Sequence, residues 1–140
     1  MYNATVLDHF SNPRNTGNIE HPDGHARVKS NVHNDLVDLD IRVQDGRIAE
    51  IKYRVFGCVA AIASSSMTSV LATGLTLDEA AALTPEQVAE ALGGLPEGKL
   101  ECSVLAPEAL RLAIADYCAK HQGEPEDKAR GDLQNRCVAP

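Results

Sequence analysis

Two of the four cysteines occupy positions where a thiol is commonly reactive. Cys58 and Cys102 each precede a predicted helix, and the positive end of a helix stabilises a thiolate and lowers its pKa. Gly57 leaves the backbone beside Cys58 open to a ligand, and Lys99 would lower the pKa of Cys102 further. The residues alone are equally compatible with two small core side chains.

A second group of polar residues could supply metal ligands. His33 and Asp35 lie just before an alternating strand, where residues two apart point the same way, so the pair could bind a divalent ion. From these residues alone, a solvated loop end is the favoured interpretation of the pair. Glu101, next to Cys102, is by itself an ordinary surface charge.

The other reactive side chains have no partner spacing that indicates chemistry. We expect His9 at the surface and Cys118 in the core. Cys137 lies in a polar segment and is predicted to be an exposed thiol. The triplet 64–66, three serines, is predicted to be a close-packing or polar face of a helix.

Two alternating segments, 37–43 and 49–55, predict half-buried strands, and Asp45 and Gly46 between them indicate a hairpin. A two-residue loop would turn the apolar face of one strand outward, so an odd-length loop with a bulge is expected. A loop one residue earlier would put Gly46 at the third loop position, where glycine is favoured. A loop over 45–47, the placement we favour, would pair residues of opposite charge, which stabilises a sheet. These pairs are Arg42 with Glu50, Asp40 with Lys52, and Asp38 with Arg54.

Helices are predicted on both sides of the strands. The first spans 2–10, with Tyr2, Val6, Leu7 and Phe10 on one face. Further helices are expected over 58–72, from a capping box at Thr76, from 85 and over 106–120. This order predicts an α+β fold in which helices pack on one face of an antiparallel sheet.

Length and charge restrict the class of protein. The chain has 140 residues, which fits one domain, predicted over 1–121 with a polar tail over 122–140. The net charge of −7 argues against nucleic acid and against an anionic membrane surface. No secretion signal or apolar span is recognised, so we expect a cytoplasmic protein whose thiols stay reduced.

Three segments resemble the motifs of a known family. Segments 8–17, 56–66 and 95–106 are similar to the signatures of iron–sulfur cluster assembly scaffolds, namely IscU and the N-terminal domain of NifU. The order and spacing agree over most of the chain. The resemblance implies a three-stranded antiparallel sheet and a cluster that is built from iron and from the sulfur of a cysteine desulfurase.

The resemblance also implies a ligand set, with two departures. The first cysteine of the family is His33 here, and its histidine before the last cysteine is Glu101 here. The lysine of the third motif matches Lys99. The metal-binding set implied by the resemblance is therefore His33, Asp35, Cys58, Glu101 and Cys102.

The implied function is that of a scaffold and carrier rather than an enzyme. It would hold a [2Fe–2S] cluster and accept sulfur on Cys102, with iron, or zinc as isolated, as the bound metal. Acceptor apo-proteins are implied as partners, and an iron donor and a second copy of the chain are further candidates. Two alternatives remain open: a mononuclear zinc- or iron-binding paralogue, and a sulfur-transfer protein without a metal.

Overall fold

The computed structural model describes residues 2–30 and 34–121, and the predictions for His33, Cys137 and the tail over 122–140 lie outside these residues. The elements in chain order are α1 (Ala4–Ser11), β1 (Gly24–Lys29), β2 (Leu36–Gln44), β3 (Arg47–Phe56), α2 (Val59–Ala72), α3 (Leu77–Ala81), α4 (Pro85–Ala91), a 3-10 helix (Leu100–Ser103) and α5 (Leu105–Lys120).

The sheet is three-stranded and antiparallel in the order β1-β2-β3, which confirms the predicted fold class. The predicted charged pairs between β2 and β3 are all present, including Arg42 opposite Glu50. The loop itself differs from the prediction, because it holds only Asp45 and Gly46, both with positive φ, at 55° and 73°. The register shifts between Arg42 and Val43, so a bulge restores the apolar face that a two-residue loop would have turned outward.

The residue pattern does not predict β1, because only Ala26 and Val28 give it an apolar face, with Arg27 between them. Its buried face begins at Gly24, where any Cβ would meet the carbonyl oxygen of Ala113 in α5. The glycine therefore lets the last helix lie directly on the first strand.

The main core lies between the sheet and the helices on one of its faces. Leu39, Ile41 and Tyr53 from the sheet pack with Leu110 and Ile114 of α5. The opposite face carries the charged pairs. Cys118 is buried in the same core, as predicted. Within residues 2–30 and 34–121, no helix is long and apolar enough to cross a membrane.

The packing of α1 differs from the prediction. Val6 and His9 are its buried residues, whereas Leu7 and Phe10 are 45% and 38% exposed. The helix packs on α2, whose facing surface includes Ser66, and Nδ1 of His9 lies 2.7 Å from Oγ of that serine. A polar partner on α2 thus allows His9 to be buried. The predictions of an exposed His9 and of an apolar face containing Leu7 and Phe10 are wrong.

Candidate metal centre

Cys58 lies at a junction between a strand and a helix, as the sequence predicts. β3 ends at Phe56, and Cys58 is the N-cap residue of α2 with extended backbone angles (φ −77°, ψ 179°). Its thiol makes no capping hydrogen bond to the helix. The half-buried sulfur is therefore available to other groups at the end of the sheet.

Cys102 has a different setting from the one predicted. It lies within the 3-10 helix Leu100–Ser103, and its backbone N–H donates to the carbonyl oxygen of Lys99 at 3.0 Å. The side chain is 4% exposed. Ser64 of α2 donates to the carbonyl oxygen of Cys102 at 3.4 Å, so the turn is tied to the helix that Cys58 begins. A contact across 38 residues leaves no local signal in the sequence.

The structure brings the thiols of Cys58 and Cys102 into contact. Their sulfurs are 3.5 Å apart, and one carboxylate oxygen of Asp35 joins them so that all three ligand atoms lie within 4.8 Å of one another. Asp35 is buried just before β2, and its Oδ2 has no hydrogen-bond partner. A buried oxygen without a donor is unfavourable unless a cation or another donor binds it.

Gly57 makes room for the side chain of Asp35, whereas the sequence predicted room for a ligand. A Cβ at position 57 would lie 2.7 Å from Cβ of Ala61 and 3.0 Å from Cγ and Oδ1 of Asp35. The missing side chain therefore makes room for the carboxylate of Asp35. The signal in the sequence was a glycine beside a candidate ligand, but the sequence does not reveal which group approaches it.

The environment of Cys102 raises the pKa of its thiol to about 12. Burial is the largest cause, followed by the hydrogen bond and charge of Cys58 and by the charge of Asp35. Lys99 acts in the opposite direction and is the smallest of these influences. The prediction that Lys99 and a helix start would leave Cys102 with a lowered pKa is therefore wrong, because desolvation outweighs one half-buried cation.

The structure brings Asp35, Cys58 and Cys102 of the predicted ligand set together. Glu101 is exposed on the 3-10 helix and lines a cavity with Asp35, outside the close group of three. Its role as a ligand, like that of His33, stays a prediction.

The distances in the group suit a metal ion. Metal–sulfur bonds of about 2.3 Å that meet at a tetrahedral angle place two sulfurs about 3.8 Å apart, close to the 3.5 Å between Cys58 and Cys102. Two thiolates and one carboxylate are ligands that zinc and iron both accept. The three residues therefore provide most of one tetrahedral coordination shell.

The sequence matches a known family over nearly all of its described length. The model of the NifU-like N-terminal domain matches residues 1–124. "Iron-sulfur cluster assembly scaffold protein IscU 1" of Archaeoglobus fulgidus is 53% identical over 121 residues, which cover 86% of this chain and 79% of that protein. "Iron-sulfur cluster assembly scaffold protein IscU" of Escherichia coli is 39% identical over 127 residues, which cover 88% of this chain and 98% of that protein.

A solved structure agrees in fold. The N-terminal part of a NifU-like protein from Brucella abortus superimposes with a TM-score of 0.69 at 23% identity, covering 84% of this chain and 94% of that one. The likeness of fold and the family match agree. The chain belongs to the NifU-like N-terminal domain family, which includes the IscU scaffolds.

Proposed function

We propose that this protein is a scaffold on which an iron–sulfur cluster is assembled and from which it is transferred. The observation that supports this most directly is the approach of the Cys58 and Cys102 sulfurs to 3.5 Å beside the buried carboxylate of Asp35. The name "iron-sulfur cluster assembly scaffold" of the relatives points to the same role.

The proposed ligands of a [2Fe–2S] cluster are Cys58, Cys102 and Asp35, with His33 or Glu101 as the fourth. Cysteine thiolates are the usual ligands of such clusters, and imidazole can replace thiolate on one iron. A set with two thiolates and harder donors would hold its cluster less firmly than four thiolates. This property suits a protein that passes the cluster on to acceptor apo-proteins.

Sulfur would arrive as a persulfide of a cysteine desulfurase. The Cys102 thiolate attacks the outer sulfur of that persulfide, the new S–S bond forms on Cys102, and the donor cysteine leaves as a thiolate. Cys102 follows the segment 97–101, which includes exposed Leu100, so a partner can contact this turn. Because burial raises the pKa of Cys102 to about 12, the thiol must lose its proton as it attacks, and that proton can pass to the departing donor thiolate. Lys99 acts in the direction of the Cys102 thiolate. The protein accepts and releases sulfur and iron without acting as an enzyme.

The setting we propose is a reducing compartment such as the cytoplasm. Two thiols whose sulfurs are 3.5 Å apart stay unpaired where glutathione and thioredoxin keep cysteines reduced. The proposed partners are the desulfurase and the acceptor apo-proteins, with an iron donor and a second copy of the chain as further candidates.

A second candidate function is supported by the size of the close group. Three ligand atoms within 4.8 Å are enough for one zinc or iron ion, with His33, Glu101 or water as the fourth ligand. On this alternative, the chain is a mononuclear metal-binding paralogue that no longer builds clusters.

Anaerobic reconstitution with iron(II) and sulfide distinguishes the two candidates. The scaffold should develop thiolate-to-iron charge-transfer absorption and contain acid-labile sulfide in proportion to iron. Cys58→Ala and Cys102→Ala should each lose this absorption. Cys118→Ala, which removes a cysteine outside the close group of Asp35, Cys58 and Cys102, is the control and should keep it. Tightly held metal without labile sulfide would support the mononuclear alternative and contradict the scaffold.

A further inference from the structure

The outer face of the sheet, on the side away from the helices, is covered at one end. The backbone N–H of Ile19 donates to Oδ2 of Asp40 at 3.0 Å, and Ile19 is buried there. Nη2 of Arg42 donates to the carbonyl oxygen of Glu20 at 3.0 Å. The loop that precedes β1 therefore lies over the half of the outer face that is farther from the thiols.

The half of the outer face nearer the thiols carries a cavity of about 350 Å³. Its lining residues, which form the open patch, are Arg27, Leu36, Asp38, Arg54, Val55 and Phe56. Phe56 is 72% exposed, the largest exposed fraction among the large apolar side chains of residues 2–30 and 34–121. An exposed aromatic side chain beside the half-buried Leu36 and Val55 is typical of a surface that binds another protein.

The open patch carries net positive charge, although the whole chain has a net charge of −7. Oδ2 of the buried Asp38 accepts from Nη2 of Arg54 at 2.8 Å and lies 3.5 Å from Nη2 of Arg27. One carboxylate thus balances only one of the two arginines, whose side chains are 63% and 61% exposed for Arg27 and Arg54. The remaining N–H groups of the two guanidinium forks are suited to a second carboxylate, supplied from outside.

The open patch adjoins the proposed cluster site along the chain. Phe56 lies two residues before Cys58, and Leu36 directly follows Asp35. A protein bound on the open patch would therefore lie beside two of the proposed ligands.

A second exposed apolar surface lies beside Cys102. Leu100 and Val104, at the two ends of the 3-10 helix, are 42% and 41% exposed, and neither lines the cavity of the open patch. A sulfur donor must reach Cys102, so this second surface suits the donor and leaves the open patch to a different partner.

We infer that the open patch is the docking surface for the acceptor apo-protein. The acceptor presents a carboxylate to Arg27 and Arg54 and an apolar side chain to Phe56. The identity of the partner as an acceptor rests on the proposed scaffold role. An aromatic side chain that becomes buried in an interface supplies much of the binding energy, whereas the complementary charges mainly steer and orient the partner.

The probe is a plant-type apo-ferredoxin, an acidic protein whose cysteines take up a [2Fe–2S] cluster. Fluorescence anisotropy of the labelled apo-ferredoxin measures its binding to the metal-free full chain. Phe56→Ala should weaken binding about tenfold. Phe10→Ala removes the other phenylalanine of the chain, which is 38% exposed on α1 outside the open patch, and should change the affinity less than about twofold.

The charged contact has its own matched pair of variants. Arg27→Gln leaves the hydrogen bond between Arg54 and Asp38 in place and should weaken binding about fivefold. Arg111→Gln removes the same charge from an exposed position on α5 and should change the affinity less than about twofold. Raising the salt concentration from about 50 mM to about 500 mM should weaken wild-type binding about tenfold. All four substituted side chains are exposed, so the urea midpoints of the variants should match that of the wild type.

Equal affinities of Phe56→Ala and Phe10→Ala would overturn the inference. Wild-type binding that is absent, or that depends neither on Arg27 nor on salt, would overturn it too. Binding between the metal-free proteins requires no cluster, so the inference and the proposed function can fail separately. If the variants follow the expected order but the wild type forms no cluster, the docking surface stands and the scaffold role fails. If the cluster forms while the matched variants bind equally, the scaffold role stands without this docking surface.

Discussion

Two groups of buried polar side chains have opposite hydrogen-bonding character. Between α1 and α2, Oγ of Ser66 lies 2.7 Å from Nδ1 of His9 and accepts from the backbone N–H of Arg14 at 3.0 Å. At the end of the sheet, Oδ2 of Asp35 has no donor, and the nearest contact between the two thiols is a weak 3.5 Å approach.

This difference in hydrogen bonding distinguishes polar groups buried to stabilise the fold (structural burial) from polar groups buried to bind a ligand (functional burial). Polar groups that satisfy one another stabilise the packing of the two helices and need nothing else. Groups that remain unsatisfied make the fold less stable and are retained where a ligand completes them. The group between the helices should therefore govern stability, and the group at the end of the sheet should govern metal affinity.

The largest expected effect is on metal binding. Cys58→Ala removes one of two thiolates and should lower the affinity for Zn²⁺ or Co²⁺ about 100-fold, since each ligand contributes a substantial share of a site's binding energy. The free energy of unfolding without metal should change by less than about 1 kcal/mol, because the side chain is only half-buried. Competition titration with a chelating dye gives the affinity, and urea unfolding gives the stability. Unchanged affinity would contradict the assignment of Cys58 as a ligand.

The group between the helices should respond in the opposite way. Ser66→Ala removes the partner of both His9 and the N–H of Arg14, and it should lower the free energy of unfolding by about 2 kcal/mol. Burial already lowers the pKa of His9, so the imidazole is mostly neutral at pH 7 and remains without that partner. Zn²⁺ affinity should not change.

Ser65→Ala is the matched control for this prediction. Ser65 is equally buried on α2, but its hydroxyl donates to the carbonyl oxygen of Ala61 in the same helix, at 2.8 Å. Its removal leaves no group on another element unpaired, so the loss should stay below about 1 kcal/mol. Equal losses in the two serine variants, measured by urea unfolding, would show that the contacts of His9 and Arg14 contribute nothing.

The sequence predicts those features of the fold and of the site that depend on neighbouring residues. Alternating residues and opposite charges gave the register of β2 and β3, including Asp38 opposite Arg54. The end of β3 beside the start of α2 placed Cys58. The motifs around both cysteines indicate the family. The family resemblance in turn implies a third strand, which the residue pattern of β1 does not predict.

The remainder depends on contacts between distant parts of the chain. Ser66, the partner of His9, is 57 residues away in the sequence. The apolar pattern of α1 alone therefore predicted a buried face with Leu7 and Phe10 instead of His9. Pro107 indicates the start of α5, but no residue marks the 3-10 helix before it. The pKa of Cys102 is set by burial among elements that only the fold brings together, and Lys99, the visible neighbour, has the smaller influence.

The sharpest test of the comparison uses two buried aspartates near each other in sequence. Asp35→Asn should weaken Zn²⁺ binding about tenfold and raise the free energy of unfolding without metal by about 1 kcal/mol, because the charge on a buried carboxylate whose Oδ2 has no donor is removed. Asp40→Asn should have the opposite effect on stability and no effect on Zn²⁺ binding. Both oxygens of Asp40 have partners, the N–H of Ile19 at 3.0 Å and Nδ1 of His25 at 2.7 Å.

Asp40→Asn should therefore lower stability by about 1 kcal/mol and leave Zn²⁺ affinity unchanged. The two substitutions make the same chemical change at similar burial, since Asp35 is 5% exposed and Asp40 is 8% exposed. The two sites differ in their hydrogen-bond partners, because Oδ2 of Asp35 has none and both oxygens of Asp40 have one. If both variants lose stability, the unsatisfied oxygen of Asp35 does not strain the metal-free protein, and the distinction between structural and functional burial fails at this site.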